Sequence, residues 1–264
     1  MKERVQKLMA QANIGSRRAC EDVIREGRVQ VNGKTITLGD KANPETDTIT
    51  VDGQRIAVQD VEKRYYVFNK PSHVLSSKAT GPDDDRSSVL EVVPLEGHLF
   101  TVGRLDAESE GLMILTNDGE MTNRLTHPRY EHTKTYKVVV YGDPSPETLE
   151  QWQDGVYLED GKTAPCYVKA LESGKSTTTL RIIMIEGKKR QIRRVASKLE
   201  HPVKKLMRTH IGKLGLGTLR RGEWYRLDDD EVAALQEPAW ELELIRKRRR
   251  ALREKNKRSR GRGQ

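Results

Sequence analysis

Hydrophobic positions between residues 4 and 27 have the spacing of two short amphipathic helices. Apolar side chains recur every three or four residues: Val5, Leu8, Met9 and Ala12, then Ala19, Cys20, Val23 and Ile24. Ser16 is placed to cap the second helix, and Gly27 to end it. Short strand-like segments and turn dipeptides follow as far as Gly53. The pattern predicts a domain of two helices and a small sheet over residues 1–60.

From residue 64 onward, short apolar and β-branched segments outnumber helical ones. The expected strands are 64–70, 99–102, 112–115, 134–140, 164–171 and 177–185, and the expected helices are 121–127, 146–154 and 191–200. Residues 203–226 have the pattern of short strands and turns. Because regular βαβ alternation is missing, we expect an α+β fold with a mainly antiparallel mixed sheet and flanking helices over residues 64–245.

One polar loop stands between two apolar runs near the centre of this second segment. The runs are residues 99–102 and Leu112–Leu115, and the loop carries Arg104 and Asp106. Loops on a rigid scaffold are where reacting groups tend to lie. Asp106 is therefore the first candidate for a reacting group.

The net charge of +9 is unevenly distributed. Residues 246–264 hold 11 Lys and Arg and one acidic residue, and residues 186–226 hold 13 basic and three acidic residues. This concentration of positive charge in two segments favours a nucleic-acid partner over an acidic small molecule. The alternative is a solubilising surface. We expect a basic, disordered tail from residue 246, with a brief helix as far as Arg253.

Several classes of protein are disfavoured. No apolar run is long enough to cross a membrane, and the start lacks a secretory signal, so we expect no membrane contact. Cys20 and Cys166 are isolated, which favours a reducing cytoplasm over a disulfide framework or zinc site. Gly215-Leu216-Gly217 is not a dinucleotide-binding motif, because the third glycine of that motif is missing. The aspartate run at 83–85 is more typical of a solvated loop than of a magnesium site. We expect no metal, nucleotide or other cofactor.

The first unit resembles the alpha-L RNA-binding motif of a small-subunit ribosomal protein and of several RNA-modifying enzymes. The resemblance is carried by residues 15–18, the Gly-Arg-Val-x-Val-Asn-Gly run at 27–33 and the pair at 52–53. It implies that Arg17, Arg18 and Arg28 contact RNA phosphates. Ordinary solvated helix charges are the alternative.

The second unit resembles the RsuA/RluB-type ribosomal RNA pseudouridine synthases, most closely the synthase B branch, whose members modify large-subunit rRNA. Three motifs occur in order: residues 103–119, Lys134-Thr135-Tyr136, and residues 186–194. The resemblance implies isomerisation of a uridine already in RNA, on a base flipped out of its stack. Asp106 matches the family's nucleophile or base; a turn aspartate is the alternative.

The same resemblance gives further residues a role. Arg104 is implied to hold the target nucleotide out of its stack, and Tyr136 to lie against the uracil. Arg193 is implied to pair with Asp106 and keep it charged and oriented. Ile192 and Leu199 are expected to wall the pocket and to belong to the core at the same time. Lys188, Lys189 and Arg190 are expected to meet phosphates. The alternatives are that Tyr136 is an ordinary core residue and that the basic residues at 188–190 are ordinary surface charges.

The combined prediction is an rRNA pseudouridine synthase, an isomerase, acting on large-subunit rRNA. Its partner would be free rRNA or an assembling ribosomal subunit, and the chain would act as a monomer. Three alternatives remain open: a small-subunit rRNA enzyme, a non-enzymatic rRNA-binding assembly factor on the same fold, and a nucleosidase that releases uracil.

Overall fold

The computed structural model describes residues 1–57, 62–77, 84–95 and 97–261, with side chains up to Glu254. The chain divides into two compact units, Met1–Lys63 and the remainder from Arg64. Part of the polar loop expected over 76–88 lies outside the described residues, and so does the first aspartate of the 83–85 run.

The first unit has two helices and short strands, as predicted. Its elements are β1 (Glu3–Arg4), α1 (Val5–Gln11), α2 (Arg17–Arg25), β2 (Val29–Val31), β3 (Lys34–Thr35), β4 (Lys41–Ala42), β5 (Ile49–Val51) and β6 (Gln54–Arg55). Strands β3-β2-β5-β6 form an antiparallel sheet. The Ser16 hydroxyl caps α2 by accepting a hydrogen bond from the Ala19 N–H at 3.1 Å. Ala19 was expected to face the core but is exposed, because it lies in the first turn of α2.

The second unit is a mixed sheet with helices, which confirms the predicted α+β class. Its elements are β7 (Tyr65–Lys70), α3 (Val89–Val92), β8 (Phe100–Thr101), β9 (Glu110–Thr116), α4 (Gly119–Thr126), β10 (Lys134–Tyr141), α5 (Pro146–Asp154), β11 (Tyr157–Leu158), β12 (Gly161–Lys162), β13 (Tyr167–Ser173), β14 (Thr177–Met184), α6 (Gln191–Lys198), β15 (Val203–Ile211), β16 (Leu214–Gly215), β17 (Trp224–Arg226), α7 (Asp229–Gln236) and α8 (Leu242–Gly261). The strand order is β13-β14-β10-β15-β9-β7-β17. Strand β15 runs parallel to β9, and the other neighbours on this path are antiparallel.

Strand β9 is buried on both faces of the sheet. Met113 and Leu115 join one core with residues of α5 and α6, whereas Leu112 and Ile114 join a second core with residues of α4 and α7. The loop that carries Asp106 therefore leads into the most enclosed strand of the unit.

One strand is longer than its pattern indicates. Residues 203–226 were expected to form short strands and turns, but β15 is a nine-residue strand in the middle of the sheet. Two features hide it: consecutive exposed lysines, Lys204 and Lys205, and the charged but fully buried Arg208. A charged residue at an inward position removes the apolar alternation that marks a strand.

The C-terminal segment differs from the expected disordered tail. Helix α8 continues to Gly261, beyond the brief helix expected to end at Arg253. Ile245 is buried in a small core, and Arg246 and Arg249 both pair with Glu131. Composition alone does not reveal that acidic partners distant in sequence hold these arginines.

No helix in the described parts of the chain is long and apolar enough to cross a membrane.

Candidate active site

The loop that carries Asp106 is fixed at its backbone on both sides. The buried Ser76 hydroxyl accepts a hydrogen bond from the Leu105 N–H at 2.9 Å and donates to the Leu105 carbonyl at 2.6 Å. The His73 N–H donates to the Ala107 carbonyl at 2.7 Å. The backbone around Asp106 is thus held while its side chain stays 31% exposed.

Lys70 lies fully buried next to this loop. Its ammonium donates to the carbonyls of Pro71 and Ser109 at 2.8 Å and of Ala107 at 3.2 Å. Burial lowers the pKa of Lys70 to about 8, and the nearby Glu110 carboxylate opposes that shift. The sequence signal for Lys70 was weak, a lysine between an apolar strand and a proline, and its role was missed.

Helix α6 brings Arg193 to Asp106. Nε of Arg193 is 3.9 Å from Oδ2 of Asp106, and Nη2 donates to Oγ of Ser109 at 3.2 Å. The same Nη2 donates to the Glu108 carbonyl at 3.4 Å. Nε of Arg193 is buried without a hydrogen-bond partner in the described structure. The guanidinium is therefore anchored at one end and directs an unused N–H at the carboxylate side of the cleft.

Tyr136 comes from β10 and is paired across the sheet with Arg208 of β15. Both side chains are buried. Nε of Arg208 donates to the Leu112 carbonyl at 2.7 Å. Burial lowers the pKa of Arg208, and the neighbouring Tyr136 opposes this shift. Arg208 thus lies between Tyr136 and β9 and was not singled out from the sequence.

These residues meet in one cleft. It is lined by Arg104, Asp106, Tyr136, Ile192 and Arg193, together with Leu105, Ser109, Met184, Gly187, Lys188, Arg190, Gln191 and Leu206. A carboxylate, a guanidinium beside it and a phenol share this space, although they are far apart in sequence. In the parts of the chain that the structure describes, no three His, Cys, Asp or Glu residues gather as a metal site would require.

Comparison with known proteins agrees with this geometry. Residues 64–198 match the model of the RNA pseudouridylate synthase family, and residues 3–49 match the S4 domain. The chain belongs to the RNA pseudouridylate synthase family. It is thus an isomerase that acts on RNA, and the predicted resemblance is confirmed.

Two curated relatives and one solved structure cover most of the chain. The chain is 39% identical to an uncharacterised RNA pseudouridine synthase of Aquifex aeolicus, over 94% of this chain and 100% of the relative. It is 40% identical to ribosomal large subunit pseudouridine synthase B of Bacillus subtilis, over 89% of this chain and 96% of the relative. A crystal structure of a pseudouridylate synthase has a TM-score of 0.62 and 28% identity, over 88% of this chain and 99% of that one.

Ile192 and Leu199 both belong to the core, as expected, but only Ile192 is also among the residues that line the cleft. Leu199 lies about two helical turns further along the chain.

The three basic residues before α6 have different surroundings. Lys188 donates to the carbonyls of Asp160 and Gly161 at 3.0 Å each, so its ammonium is already engaged. Arg190 pairs with Glu108 at 2.9 Å. Lys189 is exposed. Of the three, Lys189 is best placed to meet a phosphate.

In the S4 unit, too, some of the predicted RNA-binding arginines are exposed and one is paired with carboxylates. Arg17 and Arg18 are exposed at the start of α2. Arg28 makes two hydrogen bonds to the Asp52 carboxylate and pairs with Glu26 at 2.8 Å. The Arg28 guanidinium lowers the pKa of Asp52. A phosphate at Arg28 would have to compete with two carboxylates, whereas Arg17 and Arg18 are open to RNA.

Proposed function

We propose that this synthase converts one uridine of large-subunit rRNA to pseudouridine, with Asp106 as the catalytic nucleophile or base. The observation that supports this most directly is the convergence of Asp106, Tyr136 and Arg193 in one cleft. These residues come from a loop, a central strand and a helix. The alternative roles, a turn aspartate and a core tyrosine, would not require this convergence.

The reaction is an isomerisation, so it needs one well-placed carboxylate and no second substrate. The bond from N1 of uracil to C1′ of ribose breaks, and a bond from C5 to C1′ forms after the base has turned. A proton leaves C5 and another is added at N1, so the composition of the RNA is unchanged. A glycoside hydrolase usually needs a second carboxylate to activate water. Here no water is consumed, which fits the single Asp106.

Arg193 serves this carboxylate by charge and position. With Nη2 fixed by Ser109, a movement of about 1 Å would bring Nε within hydrogen-bond distance of Asp106. Many catalytic hydrogen bonds are long before substrate binds and tighten afterwards. Arg193 therefore orients Asp106 toward C1′ of the bound nucleotide.

The target base must leave its stack to reach this cleft. Flipping costs a few kcal/mol, least for a base that is already unpaired. Arg104 is exposed at the edge of the cleft and would hold the flipped nucleotide, and Tyr136 would lie against the uracil. Ile192 would contact the apolar edge of the base.

The choice of large-subunit rRNA rests on the similarity to the large-subunit synthase of Bacillus subtilis. We also propose that the chain acts as a monomer. We propose free rRNA or an assembling subunit in the cytoplasm as its substrate, with the exposed S4 arginines contacting RNA phosphates.

The test is to map pseudouridines in rRNA from cells with and without the gene. We expect one large-subunit pseudouridine to disappear and to return when the wild-type gene is restored. The purified chain should also form it on rRNA from the deletion strain. A missing small-subunit pseudouridine instead would overturn the subunit assignment. An unchanged map together with an inactive purified chain would overturn the proposed activity.

A further inference from the structure

A two-stranded hairpin beside the cleft carries an unusually exposed aromatic ring. Strands β11 and β12 pair Tyr157 with Lys162 and Leu158 with Gly161. Tyr157 is 67% exposed, more than any other tyrosine of the chain. The Lys162 ammonium lies 5.6 Å from the centre of the Tyr157 ring. The hairpin thus presents a ring and a cation together to solvent.

The hairpin is held rigidly although it is short. An isolated two-stranded hairpin is marginally stable at best. Here Lys188 donates to three consecutive carbonyls, those of residues 160, 161 and 162. Arg194 makes two hydrogen bonds to the Asp160 carboxylate at 2.9 and 3.1 Å, and Lys198 donates to the Tyr157 carbonyl at 2.7 Å. Lys188 and Lys198 thus hold the backbone of the hairpin, and Arg194 holds the side chain of its turn residue Asp160.

Helix α6 also builds the cleft. Lys188 lines the cleft and holds the hairpin at the same time, and Arg193, which approaches Asp106, directly precedes Arg194. Arg193 and Lys198, which holds a backbone carbonyl of the hairpin, are separated by a rise of about 7.5 Å along α6. The hairpin is thus anchored to the helix that lines the cleft.

The charges around the hairpin favour an RNA strand. Arg194 lowers the pKa of Asp160 and balances its charge, and Lys188 lies 3.9 Å from the same carboxylate. Glu159 is the remaining exposed acid of the turn. Unpaired RNA bases are recognised by stacking on aromatic side chains, with cations nearby for the backbone. Tyr157 and Lys162 offer this combination.

We propose that Tyr157 is a stacking site for an unpaired RNA base close to the target uridine, with Lys162 next to the adjoining phosphate. This inference rests on the proposed function for its substrate and adds a second contact point outside the cleft. Tyr157 acts in binding and positioning of RNA and takes no part in bond exchange.

The experiment compares Y157A, Y157F and Y141A in the full-length chain. Tyr141 is a matched control: it is 48% exposed, and the Lys204 ammonium lies 5.9 Å from its ring. The probe is rRNA from cells that lack the gene, and both the dissociation constant and turnover at saturating RNA are measured. We expect Y157A to weaken binding about tenfold, the range found for loss of one stacking aromatic. Y157F and Y141A should bind RNA and turn over saturating RNA like wild type, whereas the loss in Y157A should appear mainly in the dissociation constant.

Wild-type affinity in Y157A, or an equal loss in Y141A, would overturn the stacking site. An equal loss in Y157F would assign the effect to the hydroxyl and would also overturn it. If the wild-type chain formed no pseudouridine, the proposed function would fail, while the binding comparison would still test Tyr157 by itself.

A second measurement identifies the partner. With p-benzoylphenylalanine at position 157, irradiation of the complex with assembling subunits should cross-link the chain to an rRNA nucleotide near the modified uridine. Cross-links to a ribosomal protein instead of rRNA would show a protein-docking hairpin and overturn the proposal.

Discussion

The carboxylate of Asp106 depends on neighbours that carry no catalytic signature. Ser76 holds the backbone before it, and Lys70 holds the carbonyls after it. Buried polar groups of this kind are costly to leave unpaired. We therefore expect the loop around Asp106 to respond to changes at residues that do not touch the substrate.

Lys70→Met tests this dependence. The substitution removes the ammonium donor from the three carbonyls that Lys70 contacts, of which the Ala107 carbonyl keeps the His73 N–H. Removal of one partner from a buried charged network costs about 3 kcal/mol. We expect the free energy of unfolding to fall by that amount in chemical denaturation, and turnover to fall with it. The exposed Lys137 on β10 is the control, since Lys137→Met should change neither quantity. Wild-type stability in Lys70→Met would contradict the account of the loop.

His132 gives a prediction for pH dependence. Burial lowers the pKa of His132 to about 4, from 6.5 in an exposed histidine. Above pH 6.5 the ring is neutral in the folded and unfolded states. As the pH falls toward 4, only the unfolded state gains a proton, so the free energy of unfolding should fall by about 3 kcal/mol.

Denaturation curves between pH 7 and 4 measure this effect. His132→Leu should reduce the loss of unfolding free energy between pH 7 and 4, whereas substitution of the exposed His98 by asparagine should leave that loss unchanged. An identical pH profile for wild type and His132→Leu would rule out His132 as its source.

The sequence reveals the candidate catalytic residues, which lie in motifs, but not the buried cations that support them. Asp106, Tyr136 and Arg193 stand in three ordered motifs, and the structure brings them into one cleft. Lys70 and Arg208 could not be found in this way. Most of their partners are distant in sequence, and a buried cation is recognisable only when those partners are known.

At the scale of elements, the close approach of β9 and β15 limits what the start of β9 can tolerate. Gly111 has a φ of 107°, and a Cβ there would lie 2.2 Å from the Arg208 carbonyl oxygen. Gly111→Ala should lower the free energy of unfolding by about 4 kcal/mol, through strain and a backbone clash. Gly187→Ala is the control, because nothing lies within 4 Å of a Cβ at that position. Equal melting temperatures for the two variants would contradict this view of the β9–β15 contact.

Helices and strands were predictable where one face is apolar. Helix α5 has the bounds its pattern predicted, and α6 ends two residues earlier than expected. Strand β15 was missed because Arg208 occupies an inward position, where the Tyr136 side chain and the Leu112 carbonyl receive it. Local periodicity cannot anticipate a polar residue that is satisfied by the rest of the sheet.

At the scale of the whole molecule, the basic C-terminal helix has two kinds of cation. Arg246, Arg248 and Arg249 pair with carboxylates of the second unit. Lys247, Arg250 and Arg253 are exposed, and the described side chains include no carboxylate within 4 Å of them. We propose that this outer set contacts RNA phosphates without regard to sequence.

Substitution of Lys247, Arg250 and Arg253 by glutamine tests this role. Loss of three phosphate contacts should reduce the slope of log affinity against log salt by about 2, with little change in turnover at saturating RNA. Filter binding of rRNA at several salt concentrations measures the slope. The paired Arg248 and Arg249 are the control: their substitution should lower the melting temperature and leave the slope unchanged. An unchanged slope in the triple variant would refute the contact.

The central claim is that Asp106 performs the isomerisation, and Asp106→Asn tests it most directly. Asparagine keeps the size of the side chain but removes the charge that reacts and that attracts Arg193. With rRNA from cells that lack the gene, the variant should bind RNA like wild type and form no pseudouridine. Formation of pseudouridine by Asp106→Asn at the wild-type rate would contradict the account.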